Sequence, residues 1–148
     1  MVFRTAYRIT GNAADAEDVL QTVFMRLVRR PNFADTVEKQ ESYLRRAAIN
    51  AALDVVRARQ PDRTLELVDM PGSHAATNDR ELREALARAL SKLPPRSAQA
   101  FTLRFLEGFA NREIARMLGI SQVLVAVIIH RTRRQLRKEL TTYLGDKS

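Results

Sequence analysis

One stretch constrains this chain more than any other: Asn111-Arg112-Glu113-Ile114-Ala115-Arg116-Met117-Leu118-Gly119-Ile120-Ser121. It has the form of a short helix, a glycine turn and the cap of a second helix, which is the spacing of a helix-turn-helix. A second helix that reads DNA needs polar side chains for base edges. Here it runs Gln122-Val123-Leu124-Val125-Ala126-Val127-Ile128-Ile129, and a basic block follows only afterwards, with Arg131, Arg133, Arg134, Arg137 and Lys138. The spacing points to a DNA reader whose expected contact face is apolar.

The rest of the chain is also helical in character. Aromatics are scarce at 6%, and the 45% hydrophobic content is mostly Leu, Ala, Val and Ile, which favours helix packed on helix over a sheet. The expected fold class is therefore all-α. At 148 residues there is material for one domain or two small ones. The chain has no cysteine, which excludes disulfides and thiolate metal sites, and its two histidines, His74 and His130, stand in unrelated contexts. No metal, cofactor or catalytic residue is expected: paired carboxylates, a nucleophile beside a base and a phosphate-cradling glycine loop are all missing from the sequence. The longest apolar run, residues 123–129, is far too short to span a bilayer, so no membrane insertion is expected. The N-terminus has no apolar core or small-residue cleavage site of a signal peptide, and the chain reads as cytoplasmic.

Periodicity divides the chain into 1–59, 60–78 and 79–148. In the first part a short helix over residues 2–9 stops at Thr10-Gly11. Asn12 caps a second helix, with Asp15, Glu17 and Asp18 suiting its dipole and Val19, Leu20, Val23, Phe24 and Leu27 at helical spacing. That helix ends at Arg29-Arg30-Pro31. Residues 32–40 read as a loop, and a third helix follows over 42–59. Residues 60–78, with Gln60-Pro61-Asp62 and Met70-Pro71-Gly72, read as a linker. Asn78 or Asp79 then caps a helix carrying Leu82, Leu86 and Leu90, and Pro95 opens the next, over 96–106. With the two helices of the motif, 79–148 makes a four-helix module.

Charge is uneven. Residues 1–59 hold ten Lys/Arg against seven Asp/Glu, 60–78 one against three, and 79–148 fourteen against seven, giving +3, −2 and +7 of the total +8. The basic excess lies with the helix-turn-helix, as an electrostatic footprint on nucleic acid would.

Four segments in order resemble one family. They are Asp15-Ala16-Glu17-Asp18-Val19-Leu20-Gln21-Thr22-Val23-Phe24-Met25-Arg26-Leu27; Tyr43-Leu44-Arg45-Arg46-Ala47-Ala48-Ile49-Asn50-Ala51-Ala52-Leu53-Asp54-Val55-Val56-Arg57; Leu93-Pro94-Pro95-Arg96 with residues 101–108; and residues 113–121 with His130-Arg131-Thr132-Arg133-Arg134-Gln135-Leu136. Together they cover nearly the whole chain and resemble extracytoplasmic-function (ECF) RNA polymerase sigma factors. The resemblance implies a bacterial transcription initiation factor. Its first module would bind core RNA polymerase and melt the −10 promoter element, its second would read the −35 element, and an anti-sigma factor would hold it inactive. The alternative is a degenerate sigma-like interaction module that binds polymerase or a regulator without sequence-specific initiation.

Residue by residue, Asp18 and Gln21 share a helix face and suit polymerase contact, while Val19 and Phe24 are expected to turn inward. On the third helix Arg46, Asn50 and Arg57 fall near one stripe, flanked by Arg45 and Arg59, and suit single-stranded −10 DNA. Asp54 and Arg57 can equally pair with each other for about 0.3–0.5 kcal/mol. Phe33, in the loop, either stacks a flipped base or plugs the loop onto the core. In the second module Ser121, Gln122, Val123 and Ala126 stand at the −35 reading positions, with Arg131, Arg133, Arg134 and Arg137 on phosphates.

The sequence departs from the family in three places. The first module begins inside the usual first helix, which would leave apolar faces of 19–27 uncovered. Ala110 replaces the usual Ser or Thr cap. Ala126, Val127 and Ile128 replace the usual Lys, Ser and Arg, each lost bidentate contact removing about 1–3 kcal/mol of discrimination. Three readings of the apolar helix stay open: weak DNA binding held by the arginines, a protein contact including self-association through residues 123–128, or burial by a rearranged packing of the modules.

Overall fold

The computed structural model of the protein describes residues 1–29, 36–59 and 74–146, with side chains for all of these except 74–78 and 142–146. The described residues form seven helices and no strand: α1 (Val2–Thr10), α2 (Ala13–Val28), α3 (Val37–Ala58), α4 (His74–Ser91), α5 (Pro95–Phe105), α6 (Asn111–Leu118) and α7 (Gln122–Asp146).

Local chemistry sets the corners. Gly11 closes α1 in the left-handed conformation at φ 68°, its N–H donating to the Tyr7 carbonyl, and Asn12 Oδ1 then accepts from the N–H groups of Ala14 and Asp15 at 2.8 and 3.2 Å. Pro95 occupies the first turn of α5, where its missing N–H costs nothing.

Two helices start earlier than the sequence predicts. α3 begins at Val37 because Thr36 Oγ1 caps it by accepting from the Lys39 N–H at 3.2 Å, so residues 37–40 belong to the helix. α4 begins at His74, inside the expected linker: the chain breakers end at Gly72, and Ala75 and Ala76 are strong helix formers.

α1, α2 and α3 pack on one another; in the second group α7 packs against α4, α5 and α6, and α5 against α6. The two groups also meet: α3 lies against α4, α5 and α6, and α1 touches α4. This explains the burial on α3. Ala47, Ala48, Ile49, Ala51, Ala52, Leu53 and Val56 are all buried, nearly the whole circumference over two turns, because the helix is covered from both sides. A helix apolar all round signals this burial in the sequence, and the small alanines allow close approach. One hydrophobic cluster runs from Val2 to Leu136 through both groups.

α2 differs from expectation. Ala16, Val19 and Val23 are buried, but Leu20 and Phe24 are 41% and 60% exposed. Positions 20 and 24 sit about 100° round the helix from 19 and 23, so only one of the two apolar rows can face α1 and α3. Among the described residues no single helix is long and apolar enough to cross a membrane.

Candidate nucleic-acid interface

The helix-turn-helix is built by short-range chemistry. The Glu113 carboxylate accepts from the Ala110 N–H at 3.1 Å, but Ala110 has no side-chain acceptor to return the bond, so only half of a capping box forms. Gly119 ends α6 at φ 68°, and the Ile120 N–H donates to the Ala115 carbonyl at 3.0 Å. Ser121 Oγ then accepts from the Leu124 N–H at 3.1 Å, capping α7. The axes of α6 and of α7 up to Thr141 meet at 104°, inside the range of this motif.

On α7 the apolar run divides by face. Val125, Ile129, Thr132 and Leu136 are buried at i, i+4, i+7 and i+11. Val123, Leu124 and Val127 are 74%, 38% and 38% exposed, Gln122 and Ala126 are exposed, and Ile128 is half-buried against the core. The reading that buries this face by rearranged packing is therefore overturned: the period of 3.6 residues sends Val123 and Val127 outward together with Arg134. Arg131, Arg133, Arg134 and Arg137 are all exposed, and the Arg133 guanidinium lies 5.5 Å from the centre of the Phe105 ring.

The α3 stripe is arranged quite differently. Arg57 donates through Nε and a terminal nitrogen to the Ser91 carbonyl, at 3.0 and 2.6 Å, and through its other terminal nitrogen to Asp54 at 2.6 Å. Ser91 is the last residue of α4, so the cation sits at the negative end of that helix. Asn50 Oδ1 accepts from Gln99 of α5 at 2.9 Å. Arg45 reaches the Glu107 carboxylate at 3.5 Å and covers the Phe109 ring at 4.8 Å, and Arg8 of α1 reaches the same carboxylate at 2.5 Å. Arg59 bonds the Thr10 carbonyl and Asp15 at 2.6 Å each, and Glu84 of α4 at 2.8 Å. Arg46 alone of these five stays within its own helix, on the Ser42 carbonyl at 3.4 Å. A cleft of about 300 Å³ along this seam is lined by Arg26, Asn50, Leu53, Asp54, Arg57, Leu93, Pro95 and Ala98.

Asp18 and Gln21 are exposed on α2 and border a shallow groove with Thr22, Met25, Arg26 and Arg29. Phe33 lies outside the described residues. Sequence reasoning did not single out Ser91, Gln99 and Glu84, and it noted Glu107 only as part of a motif. The available signal was that Glu84 and Glu107 are acidic residues in the strongly basic second half.

Three helices followed by a four-helix unit whose helix-turn-helix trails into arginines make an all-helical protein of the helix-turn-helix class. Comparison with known proteins narrows the class. Residues 1–61 match sigma-70 region 2 and residues 83–136 match sigma-70 region 4. The chain is 35% identical to the ECF RNA polymerase sigma factor SigE of Mycolicibacterium smegmatis over 98% of its own length, though it spans only 59% of that relative. It is 32% identical to the RNA polymerase sigma-E factor of Streptomyces coelicolor, covering 94% of this chain and 79% of that one. The fold is shared with the sigma factor RpoE of Bartonella quintana, solved in complex with the anti-sigma factor NepR, with a TM-score of 0.53 at 18% identity over 95% of this chain and 89% of that one. The chain belongs to the ECF family of RNA polymerase sigma factors, which direct transcription initiation.

Proposed function

We propose that the protein binds core RNA polymerase in the cytoplasm and directs promoter-specific initiation by binding rather than by catalysis. Residues 1–59 engage the −10 element, 79–148 engage the −35 element, and 60–78 join them. The observation that carries this reading is the pairing, in one chain, of both sigma regions with an open helix-turn-helix whose first outward turn is free of core packing. In the −35 module Gln122 is the one side chain suited to an adenine edge, and Val123 and Ala126 suit thymine methyls. Arg131, Arg133, Arg134 and Arg137 neutralise phosphates, with Ser121 setting the start of the helix. In the −10 module Arg45, Arg46, Asn50, Arg57 and Arg59 bind the melted strand, and Phe33 stacks an extruded base. Asp18 and Gln21, exposed beside a groove that contains Arg26 and Arg29, contact polymerase. By analogy with the relative crystallised with NepR, an anti-sigma factor is a further partner.

The test is retention of core polymerase by the tagged full chain, followed by run-off transcription from promoters selected out of a random library. Core binding with a promoter-dependent transcript is expected. Core binding without one would favour a second reading, that of a sigma-like interaction module. The exposed Val123, Leu124 and Val127 favour that reading, as a face for a protein or a second copy.

A further inference from the structure

The outward side of α7 changes character along its length. Its first two turns present Gln122, Val123, Ala126 and Val127, all exposed, and of these four only Gln122 carries a hydrogen-bonding side chain. Arg133 and Arg134 stand on the same side about two turns further on, also exposed. At 100° per residue these six side chains share an arc of about 140° that faces away from the buried row of Val125, Ile129, Thr132 and Leu136. Residues 126 and 127 precede 133 and 134 by seven positions, a rise of about 10 Å, and the major groove is about 12 Å wide. A helix laid in that groove by its N-terminal turns therefore puts the apolar tip over base edges while its arginines reach phosphates. A second copy fits the tip poorly. Val123, Leu124 and Val127 fall short of the roughly 800 Å² that each partner of a stable interface buries. Two such modules, each with fourteen Lys/Arg against seven Asp/Glu over 79–148, would also repel.

Valine and alanine offer base edges neither donor nor acceptor, so a G·C pair under this tip would lose water from its polar groups without replacement. The one apolar group that the major groove displays is the C5 methyl of thymine. We infer that the tip of α7 selects C5-methylated pyrimidines: Val123, Ala126 and Val127 pack on the methyl groups, and Gln122 takes an adjacent adenine edge. The inference rests on the reading of 79–148 as a −35 module and names what that module selects. Cytosine methylated at C5 carries the same methyl at the same place in the groove. At these contacts it is read as thymine is, whereas uracil and unmodified cytosine are not. Each methyl taken out of water by the valines is worth about fourfold in affinity, so two of them exceed tenfold. The arginines add affinity without choosing sequence.

The experiment starts from a duplex that the full-length chain enriches out of a random library. Affinity for it is compared with that for the same duplex carrying uracil in place of thymine, which deletes the methyls and keeps the base pairing. Measurement is at low salt, where the arginines hold every variant on DNA. A loss of at least about tenfold is expected, the effect of two or more methyls. In a third duplex the thymines of the enriched site become cytosines paired with guanine. Methylating those cytosines at C5 is expected to recover about fourfold for each contacted methyl, and no recovery overturns the inference. Val123→Ser with Val127→Ser alters two exposed side chains and should leave less than about twofold between the thymine and uracil duplexes. A preference for thymine that survives the serines comes from duplex shape and overturns the inference. Equal binding of thymine and uracil duplexes by the unaltered chain also overturns it, while the −35 reading stands if the enriched duplex is still preferred over a scrambled one. If no sequence is enriched, the −35 reading fails and the inference fails with it. Sedimentation of the same two proteins tests the other occupant. A dimer that the serines dissolve, with thymine and uracil bound equally, would assign the tip to a second copy instead.

Discussion

On α3 the side chains that suit nucleic acid are occupied by protein: Arg57 holds the Ser91 carbonyl, Asn50 holds Gln99 and Arg45 holds Glu107. On α7 the outward first turn is exposed but carries Val123, Ala126 and Val127, which offer methyl groups where polar atoms are expected. One surface has the chemistry but its polar groups are already bonded to protein, although the Arg57 side chain is itself 54% exposed, and the other is unbonded and lacks the chemistry. The difference teaches that exposure and residue type are separate requirements for a binding face. A long arginine stays soluble only if its charge is paired or hydrated, and the second module can supply that pairing. A single exposed valine needs no partner, but Val123 stands beside the exposed Leu124 and Val127, which makes this turn an apolar patch.

The largest effect that can break this comparison sets two valines of the same helix against each other. Val125 is fully buried and Val123 is 74% exposed, two residues apart. Val125→Asp places an unpaired charge in the core and is expected to cost at least about 4 kcal/mol in urea unfolding. Val123→Asp should stay within about 0.5 kcal/mol, because the carboxylate stands in the first turn of α7 where the helix dipole favours it. The same carboxylate would repel phosphates, so DNA binding should fall while stability does not. Comparable stability losses at both positions would mean that the outward turn is packed.

A smaller effect sharpens the contrast by giving α7 the chemistry it lacks. Ala126→Lys with Val127→Arg restores two cations on the exposed turn. Duplex binding should strengthen at low salt, and the slope of log affinity against log salt should steepen by about 2, near 0.9 for each added phosphate contact. Self-association, read by sedimentation, should fall if the apolar turn mediates it. Position 128 is unsuitable for this purpose because Ile128 is half-buried against the core. Unchanged salt dependence would show that this turn does not face DNA.

Much of the fold was legible because its signals are local. Asn12, Gly11, Pro95, Gly119 and Ser121 act within a few residues of themselves, and each marks a helix end in the structure as the sequence predicts. Thr36 is also local, but its capping of α3 was hidden inside a stretch read as loop. The face of α2 was misread for a different reason. Leu20 and Phe24 follow Val19 and Val23 by one residue each, and composition cannot say which of two adjacent apolar rows is buried. The state of the candidate site was the least legible part. Nothing near Arg57 or Asn50 in sequence announces Ser91 or Gln99, which lie 34 and 49 residues away, because that pairing is set by how two helical groups dock.

The smallest effect concerns the start of the motif that places the outward turn of α7. α6 is capped at Ala110 with only the returning half of a capping box, the Glu113 carboxylate on the Ala110 N–H. Ala110→Ser supplies a hydroxyl at the position where the backbone is already extended, φ −76° and ψ 156°, as a capping residue requires. The gain should be about 1 kcal/mol, visible as a rise of about 2–4 °C in melting temperature for a chain of this length. Ala110→Gly should give less, since glycine fits the cap conformation but adds no acceptor. Strand binding by α3 should not move with either change, because the cap lies on the motif and not in the bonds of the seam. A serine that stabilises no better than glycine would mean that water already satisfies the first N–H groups of α6. A serine that changed strand binding would mean that the cap of α6 and the α3 seam, to which α6 also packs, are coupled.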